Sequence, residues 1–400
     1  MANLLYLVHR LPYPPNKGDK VRSYHLLKHL AKKHRVYLGS FIDDPDDERY
    51  LAELPQYCVD MHIARLKPIV AKISSIRGLL SNQPLTLPYY KNQELQNWVN
   101  HIVENEKIET AIIFSSAMAA YIQNMPKLRA LIDYVDVDSA KWTQYADKHH
   151  WPLSWLYRRE GSKLLDFERK MALHSEKSFF VTDNEVDLFR RLAPECTGKI
   201  SAMSNGVDAD FFSPDHDLVS PYGRDEIPIV FTGAMDYWPN VDAVTWFDSE
   251  MLPKLMTKWP KIRFYIVGRN PSAAVQALAK TDRTVVTGTV PDVRPYLRHA
   301  KVVVAPLRLA RGIQNKILEA MAIGRPVVAS QECATAVDAI ADRDFLVAST
   351  AEEYIDSVDK LLCSPDYAVE VGRAARRQVV AKYSWDAHLS NIDTYLEYCA

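Results

Sequence analysis

Apolar residues along this chain come in short β-branched runs that alternate with longer stretches of helical spacing. Leu4–Val8, Val36–Ile42, Ala111–Phe114, Ala130–Tyr134 and Ser178–Val181 read as buried strands. Over Lys20–Ala31, Val21, Tyr24, Leu27, Leu30 and Ala31 share one stripe, and Asp19 stands where an N-cap is wanted. Alternation of this kind predicts an α/β fold with a doubly wound parallel sheet.

The rhythm breaks over Asn205–Glu226, which holds Asn-Gly, Ser-Pro and Tyr-Gly turn pairs and several acids. It then restarts. Ile229–Thr232, Phe264–Val267, Val285–Thr287, Val302–Val304 and Val327–Ala329 read as strands, with helices near Val241–Met256, Ala273–Ala279, Val293–His299 and Ile313–Ile323. The final amphipathic stretch, Trp385–Tyr398, carries Leu389, Ile392, Tyr395 and Leu396. These shifts predict a first Rossmann-like domain at 1–205, a linker at 206–226, a second such domain at 227–383 and a terminal helix at 384–400. A chain of 400 residues is long enough for two domains of ordinary size.

Charge adds little to that picture. A net charge of −1 supplies no general attraction for nucleic acid. Five scattered cysteines without a CxxC argue against a disulfide framework or a zinc site and for a reducing cytoplasm. Leu4–Val8 is too short for a signal-peptide core, and no run approaches the roughly 18 apolar residues of a membrane span. One segment stands apart: Met61–Gln93 has no acid but holds Arg65, Lys67, Lys72, Arg77 and Lys91 beside Ile69, Ile73, Ile76 and Leu80. It suits an interfacial helix on an anionic membrane or a basic helix packed on the core. Trp151, Trp155, Tyr157, Arg158 and Arg159 form a second aromatic–basic cluster with the same two readings.

The richest chemistry lies in Lys301–Ser330, which reads as strand, Gly-containing loop, helix and strand. Gly312 opens the helix, where backbone N–H groups can point at an anion. Lys316 and Glu319 share a helical face, a cation for a phosphate and a carboxylate for a pair of hydroxyls. That pairing suits a nucleotide, or else an exposed ion pair on a core helix. Gly233 ends a strand ahead of Pro239-Asn240, either as a close-approach point for phosphate or as a turn glycine. No cation follows it before Glu250, so Lys316, Arg308, Arg311 or Arg269 must supply positive charge for any diphosphate. In the first half, Asp133–Trp142 gathers acids after a strand. Asp136 and Asp138 can orient a hydroxyl, coordinate a metal as a carboxylate pair, or simply face water. Pro12–Arg22 joins the first strand to the first helix without a GxGxxG, so a nicotinamide oxidoreductase has no support.

Pro306, Gly312, the run Leu318-Glu319-Ala320-Met321-Ala322, Gly324 and Pro326-Val327-Val328-Ala329 resemble the donor-binding core of the family-4 (group 1) retaining GT-B glycosyltransferases. The stretch Ser204–Asp208, with Phe211 or Phe212 and Pro214, matches the family's interdomain junction. The opening NKGDKVRSYHLLKHL, the loop MDYWPNVDA and the helix RGIQNKILEAMA are most similar to sugar transferases of bacterial exopolysaccharide loci, including those tied to the PEP-CTERM sorting system. The resemblance implies GT-B architecture, two Rossmann-like domains facing a central cleft, with the terminal helix crossing back to the first domain. It also implies transfer of a hexosyl-type sugar, with retention, from a UDP- or GDP-linked donor to a glycan or polyprenyl-linked acceptor, without a metal or other cofactor. The enzyme would then work in the cytoplasm, at the inner face of the membrane.

Residue by residue, the resemblance implies that Glu319 holds the ribose and that the amides around Val290 meet the base. Gly18 would belong to a loop closing over the donor phosphate, with Lys17 and Asp19 beside it on the acceptor side with Asp136 and Asp138. Glu319, Lys316 and Arg311 would carry the catalytic charge. Arg311 stands where relatives have a glutamate, so it would pair with the pyrophosphate or with a uronic-acid carboxylate. Relatives carry a histidine after the fourth strand, where Ser115-Ser116 stand here. A nucleotide-sugar 2-epimerase of the same architecture and a non-catalytic nucleotide-sugar-binding protein remain the alternatives.

Overall fold

The computed structural model describes residues 1–15, 18–75, 77–80, 82–147, 149–310 and 313–396. Met1–Asn205, together with the chain from His388 on, forms one compact unit, and Gly206–Ala387 forms the other.

In the first unit β1 (Asn3–Val8), β2 (Arg35–Ile42), β3 (Asp60–Arg65), β4 (Thr110–Phe114), β5 (Arg129–Val135), β6 (Lys177–Phe180) and β7 (Ile200–Ala202) form a parallel sheet in the order 3-2-1-4-5-6-7. Leu4, Leu5, Tyr6 and Leu7 are all fully buried, as a strand covered on both faces requires. Strand β3 has no counterpart in the sequence reading. Its side chains are mostly half-exposed, so DMHIAR lacks the apolar run of a central strand. The first helix spans Gly18–Ala31, which moves Asp19 from the N-cap into the first turn. Arg22, one turn further, is buried and donates through Nε and Nη2 to Asp133 at 2.7 and 3.0 Å. That removes Asp133 from the acid cluster of the β5 loop and fixes the helix on the sheet.

In the second unit β8 (Ile227–Thr232), β9 (Ile262–Val267), β10 (Thr284–Gly288), β11 (Val302–Ala305), β12 (Val327–Ser330) and β13 (Leu346–Ala348) form a parallel sheet in the order 10-9-8-11-12-13. Both sheets reverse strand order beside their first strand, between β1 and β4 and between β8 and β11. Such switch points open crevices at the carboxyl ends of the strands. The helix expected over Val241–Met256 is an α-helix over Trp238–Trp246, a π-turn over Phe247–Met251 and a second α-helix over Leu252–Lys258. Pro253 cannot donate an N–H to the preceding turn, and the wider turn accommodates it. The helix expected over Ile313–Ile323 spans Asn315–Ala322, with Gln314 still extended.

Candidate functional site

Three strand ends build the crevice of the second unit. Gly233 and Gly268 follow β8 and β9 directly and adopt φ of +155° and +157°. The Gly233 N–H donates to Val267 O at 3.0 Å, which draws the two loops together. A Cβ on Gly268 would lie 1.6 Å from the Gly233 carbonyl oxygen, so only glycine fits there. At Gly233 a Cβ would lie 2.8 Å from Asn240 Nδ2 and 3.1 Å from Lys316 Nζ. The missing side chain therefore makes room for a polar cluster.

Buried Asn240 donates through Nδ2 to Ala234 O at 2.8 Å, and its Oδ1 accepts from Lys316 Nζ at 2.5 Å. The same ammonium lies 4.2 Å from the centroid of the Phe231 ring. Burial brings Lys316 down to about 8, against weaker opposition from Cys333 and Glu319. Glu319, one turn along the helix, is pushed up to about 7 by burial, which the Lys316 charge partly offsets. Its carboxylate has no hydrogen-bond partner among the described residues. A cation and a carboxylate are thus held half-buried at the switch point, each with its charge incompletely satisfied by protein.

Other residues singled out from the sequence are distributed differently. Arg308 is paired: its Nε donates to Asp242 Oδ2 at 2.9 Å, its Nη2 to Oδ1, and the guanidinium lies 5.2 Å from the Trp246 ring. Asp242 thus largely neutralises the charge that the sequence reading assigned to a diphosphate. Arg269 is exposed, and its backbone carbonyl accepts from Met235 N–H at 2.8 Å. Val290 is half-buried beyond β10, packed on the core. Arg311, Gly312 and Lys17 lie outside the described residues, while Gly18 opens the first helix.

A second concentration of chemistry lies at the β1/β4 switch point. A cavity of about 860 Å³ is lined there by His9, Asp19, Ser115, Asp136, Asp138 and Lys141 at a polar end. Tyr89, Tyr90, Trp142, Tyr145, Leu156 and Tyr157 supply aromatic and apolar walls. His9 was not singled out from the sequence. It follows β1, opposite the serines that follow β4, so a histidine reaches this crevice from the neighbouring strand. Its ring stacks on Phe114 at 5.8 Å, and Nε2 lies 3.5 Å from Asp19 Oδ2. His9 Nδ1 is buried without a hydrogen-bond partner among the described residues. Hydrogen bonding to His9, reinforced by Arg10 at 3.0 Å, holds the Asp19 carboxyl well below the usual carboxylate range. The only available signal was its place one residue past the first strand.

Lys141 Nζ lies 2.7 Å from Asp136 and 3.2 Å from Asp138. The carboxylate pair therefore brackets a lysine. Burial raises the Asp138 carboxyl, with Lys141 acting in the opposite sense. Two non-glycine residues of this lining, Ser115 and Val135, have φ of +78° and +68°. Left-handed backbone at a β-branched residue is costly, and such strain collects at binding sites. Buried Glu168 ties the strained loops together, accepting from Ser116 Oγ at 2.8 Å and Ser139 Oγ at 2.6 Å.

Two parallel-sheet α/β domains of this construction are a GT-B fold. Residues 226–364 match the family model described as "Glycosyl transferases group 1". A search of curated proteins finds no match. Solved structures align over the whole chain at low identity. Sucrose-phosphate synthase from Thermosynechococcus elongatus has a TM-score of 0.62 at 16% identity, over 100% of this chain and 99% of that one. A glycosyltransferase from Rickettsia africae has 0.62 at 13%, over 99% and 98%. HepE from Anabaena, solved in complex with UDP-glucose, has 0.59 at 12%, over 100% of both chains.

Proposed function

We propose that this protein is a glycosyltransferase that moves a sugar from a nucleotide-diphospho sugar to an acceptor hydroxyl. The observation that carries the reading is the half-buried Lys316–Asn240 pair above Gly233, with Glu319 one turn away. Lys316 is placed to neutralise a diphosphate approaching the Gly233 backbone, and Glu319 to accept from both ribose hydroxyls. HepE binds UDP and UDP-glucose, and a UDP-linked hexose is the donor class we assign to this chain. Retention at the sugar carbon, a polyprenyl-linked or glycan acceptor, and a place in exopolysaccharide synthesis rest on the sequence resemblance. The protein's own part is to position the donor and stabilise the departing diphosphate. Glu319→Gln is expected to weaken nucleotide binding by about 1–3 kcal/mol. A thermal-shift titration against UDP, GDP, ADP and dTDP measures this. A folded Glu319→Gln protein with unchanged affinity would remove the donor site from the second domain. Conversion of the donor with no acceptor present would indicate an epimerase instead.

The cavity of the first domain is our acceptor site. Its aromatic walls offer apolar faces to a sugar ring, and Asp136, Asp138 and His9 can orient the attacking hydroxyl. With an alkyl glucoside as acceptor probe, Asp138→Asn should raise the acceptor KM about tenfold or more and leave donor affinity unchanged. An unchanged acceptor KM would contradict the assignment.

The acid-free segment 61–93 fits a place at an anionic membrane surface. It begins in β3 and then forms three short helices, Pro68–Ser75, Arg77–Leu80 and Thr86–Tyr89, rather than one. Ile76 and the side chains of Ile73 and Leu80 lie outside what the structure describes, so of the expected apolar stripe only exposed Ile69 is described, with exposed Lys72 among the cations beside it. Trp151 and Trp155 are exposed too, at the start of the helix whose Leu156 and Tyr157 wall the cavity, whereas Arg159 is spent on Gly78 O and Gln83 O. Among the described residues no helix is long and apolar enough to cross a membrane. Flotation with anionic vesicles should be strong at low salt and weaken as salt rises; binding indifferent to lipid charge would count against this placement.

A further inference from the structure

The amino edge of the second sheet, opposite the Gly233 loops, carries a separate cavity of about 570 Å³. It is bounded by Ile227 at the start of β8, Lys301 just before β11 and Pro326 just before β12. Five cations line it: Arg298, Lys301, Arg325, Arg373 and Arg376. Among the described lining residues there is no carboxylate. Arg298 donates to Pro214 O at 3.0 Å, and Arg376 to the carbonyls of Ala209, Phe212 and Ala322. Those partners are neutral, so the charge stays. The side chains of Lys301 and Arg373 have no ion-pair or hydrogen-bond partner among the described residues. Arg325 Nε is buried and likewise unpartnered. Burial, together with the Arg298 charge, brings Arg325 down to about 10. The remaining wall is apolar, with Ile323, Trp259, Leu361, Leu362 and Val369 facing the same space. Asp359, which accepts from Trp259 Nε1 of this wall at 2.9 Å, is paired with Lys258 at 2.7 Å.

Five like charges around one enclosed space repel one another and weaken the fold unless an anion compensates them. Cavities of several hundred Å³ with apolar walls and a few convergent polar groups are the usual form of a small-molecule site. We propose that this cavity binds an organic phosphate, a phosphate monoester or diphosphate carried on an apolar body. The guanidinium forks of Arg325 and Arg373 match phosphate oxygens, and Lys301 adds a point charge. Trp259, Ile323 and Leu361 would cover the apolar body. The site is independent of the donor crevice, which lies at the other edge of the sheet.

The test is calorimetric titration of the full-length protein with dodecyl phosphate below its micelle concentration, with dodecyl maltoside as the uncharged counterpart. Dodecyl phosphate should bind at least tenfold more tightly than the maltoside, and its affinity should fall as salt rises. Arg325→Gln/Arg373→Gln should lose at least tenfold, whereas Lys316→Ala should not change it. Should that double variant fail to fold, Lys301→Gln/Arg373→Gln, both at exposed positions, takes its place. Equal affinity for the two detergents, or undiminished phosphate binding in the folded double variant, would overturn the proposal. Inorganic pyrophosphate and phosphatidic-acid vesicles then distinguish the source. Variant-sensitive pyrophosphate binding supports a free phosphate ligand, and variant-sensitive vesicle binding supports a lipid headgroup.

Discussion

Lys316→Met is expected to lose nucleoside diphosphate binding by about 10- to 100-fold while nucleoside binding changes little. Methionine keeps an unbranched stem over the Phe231 ring, so the change removes charge more than packing. If the diphosphate leaves from this site, kcat/KM should fall further, by roughly 10²–10³. The pH dependence gives a second readout. In the free protein burial lowers Lys316 to about 8. A bound diphosphate favours the charged form and raises that value again. Between the two values binding must take up a proton, so affinity declines as pH rises above about 8 until the bound-state value is passed. Glu319 works in the opposite sense: burial raises it to about 7, and ribose hydroxyls donating to the carboxylate lower it, releasing a proton near neutrality. Calorimetry in buffers of different ionisation enthalpy separates uptake from release. The alkaline limb should vanish in Lys316→Met. Equal losses for UDP and uridine, or an alkaline limb that survives the substitution, would exclude Lys316 as the diphosphate cation.

Gly268→Ala should be among the most destabilising single changes in the second domain, at about 3–5 kcal/mol. Two costs add. The residue would be held at a φ of +157°, and its Cβ would lie 1.6 Å from the Gly233 carbonyl oxygen, a backbone atom that no rotamer change can move aside. For a domain of this size that corresponds to a fall in melting temperature of roughly 10 °C or more. Gly288→Ala is the matched control: φ is +66°, yet nothing lies within 4 Å of the added carbon, so only the conformational cost of about 1–2 kcal/mol applies. Because relief of the clash must push the Gly233 loop, Gly268→Ala should also weaken diphosphate binding at temperatures where it stays folded. Two glycine variants of equal stability would show that the loops are not packed as described.

Periodicity alone located most of the central strands, because a strand covered on both faces must be apolar at nearly every position. Leu4–Val8 and Val302–Val304 meet that condition; β3 does not and was missed for that reason, while β7 and β13, at three residues each, were missed because they are too short to show a run. Helix ends were less legible. Asp19 has the chemistry of an N-cap, but Arg10 and His9 draw its carboxylate elsewhere, and neither contact is local enough to show in the sequence.

The site divides in the same way. Lys316 and Glu319 were readable because helical spacing places them on one face whatever the surroundings. Only the tertiary structure decided which cations stay available. It pairs Arg308 with Asp242, buries Arg22 against Asp133 and leaves Lys316 above a glycine with an asparagine for a partner. His9 and the strained pair Ser115 and Val135 meet because β1, β4 and β5 are neighbours in the sheet, although more than 100 residues separate the first from the second. Local pattern is set by which face of an element must leave water. Charge pairing and cavity shape are set by which distant segments the sheet order brings together, and no short stretch of sequence contains that information.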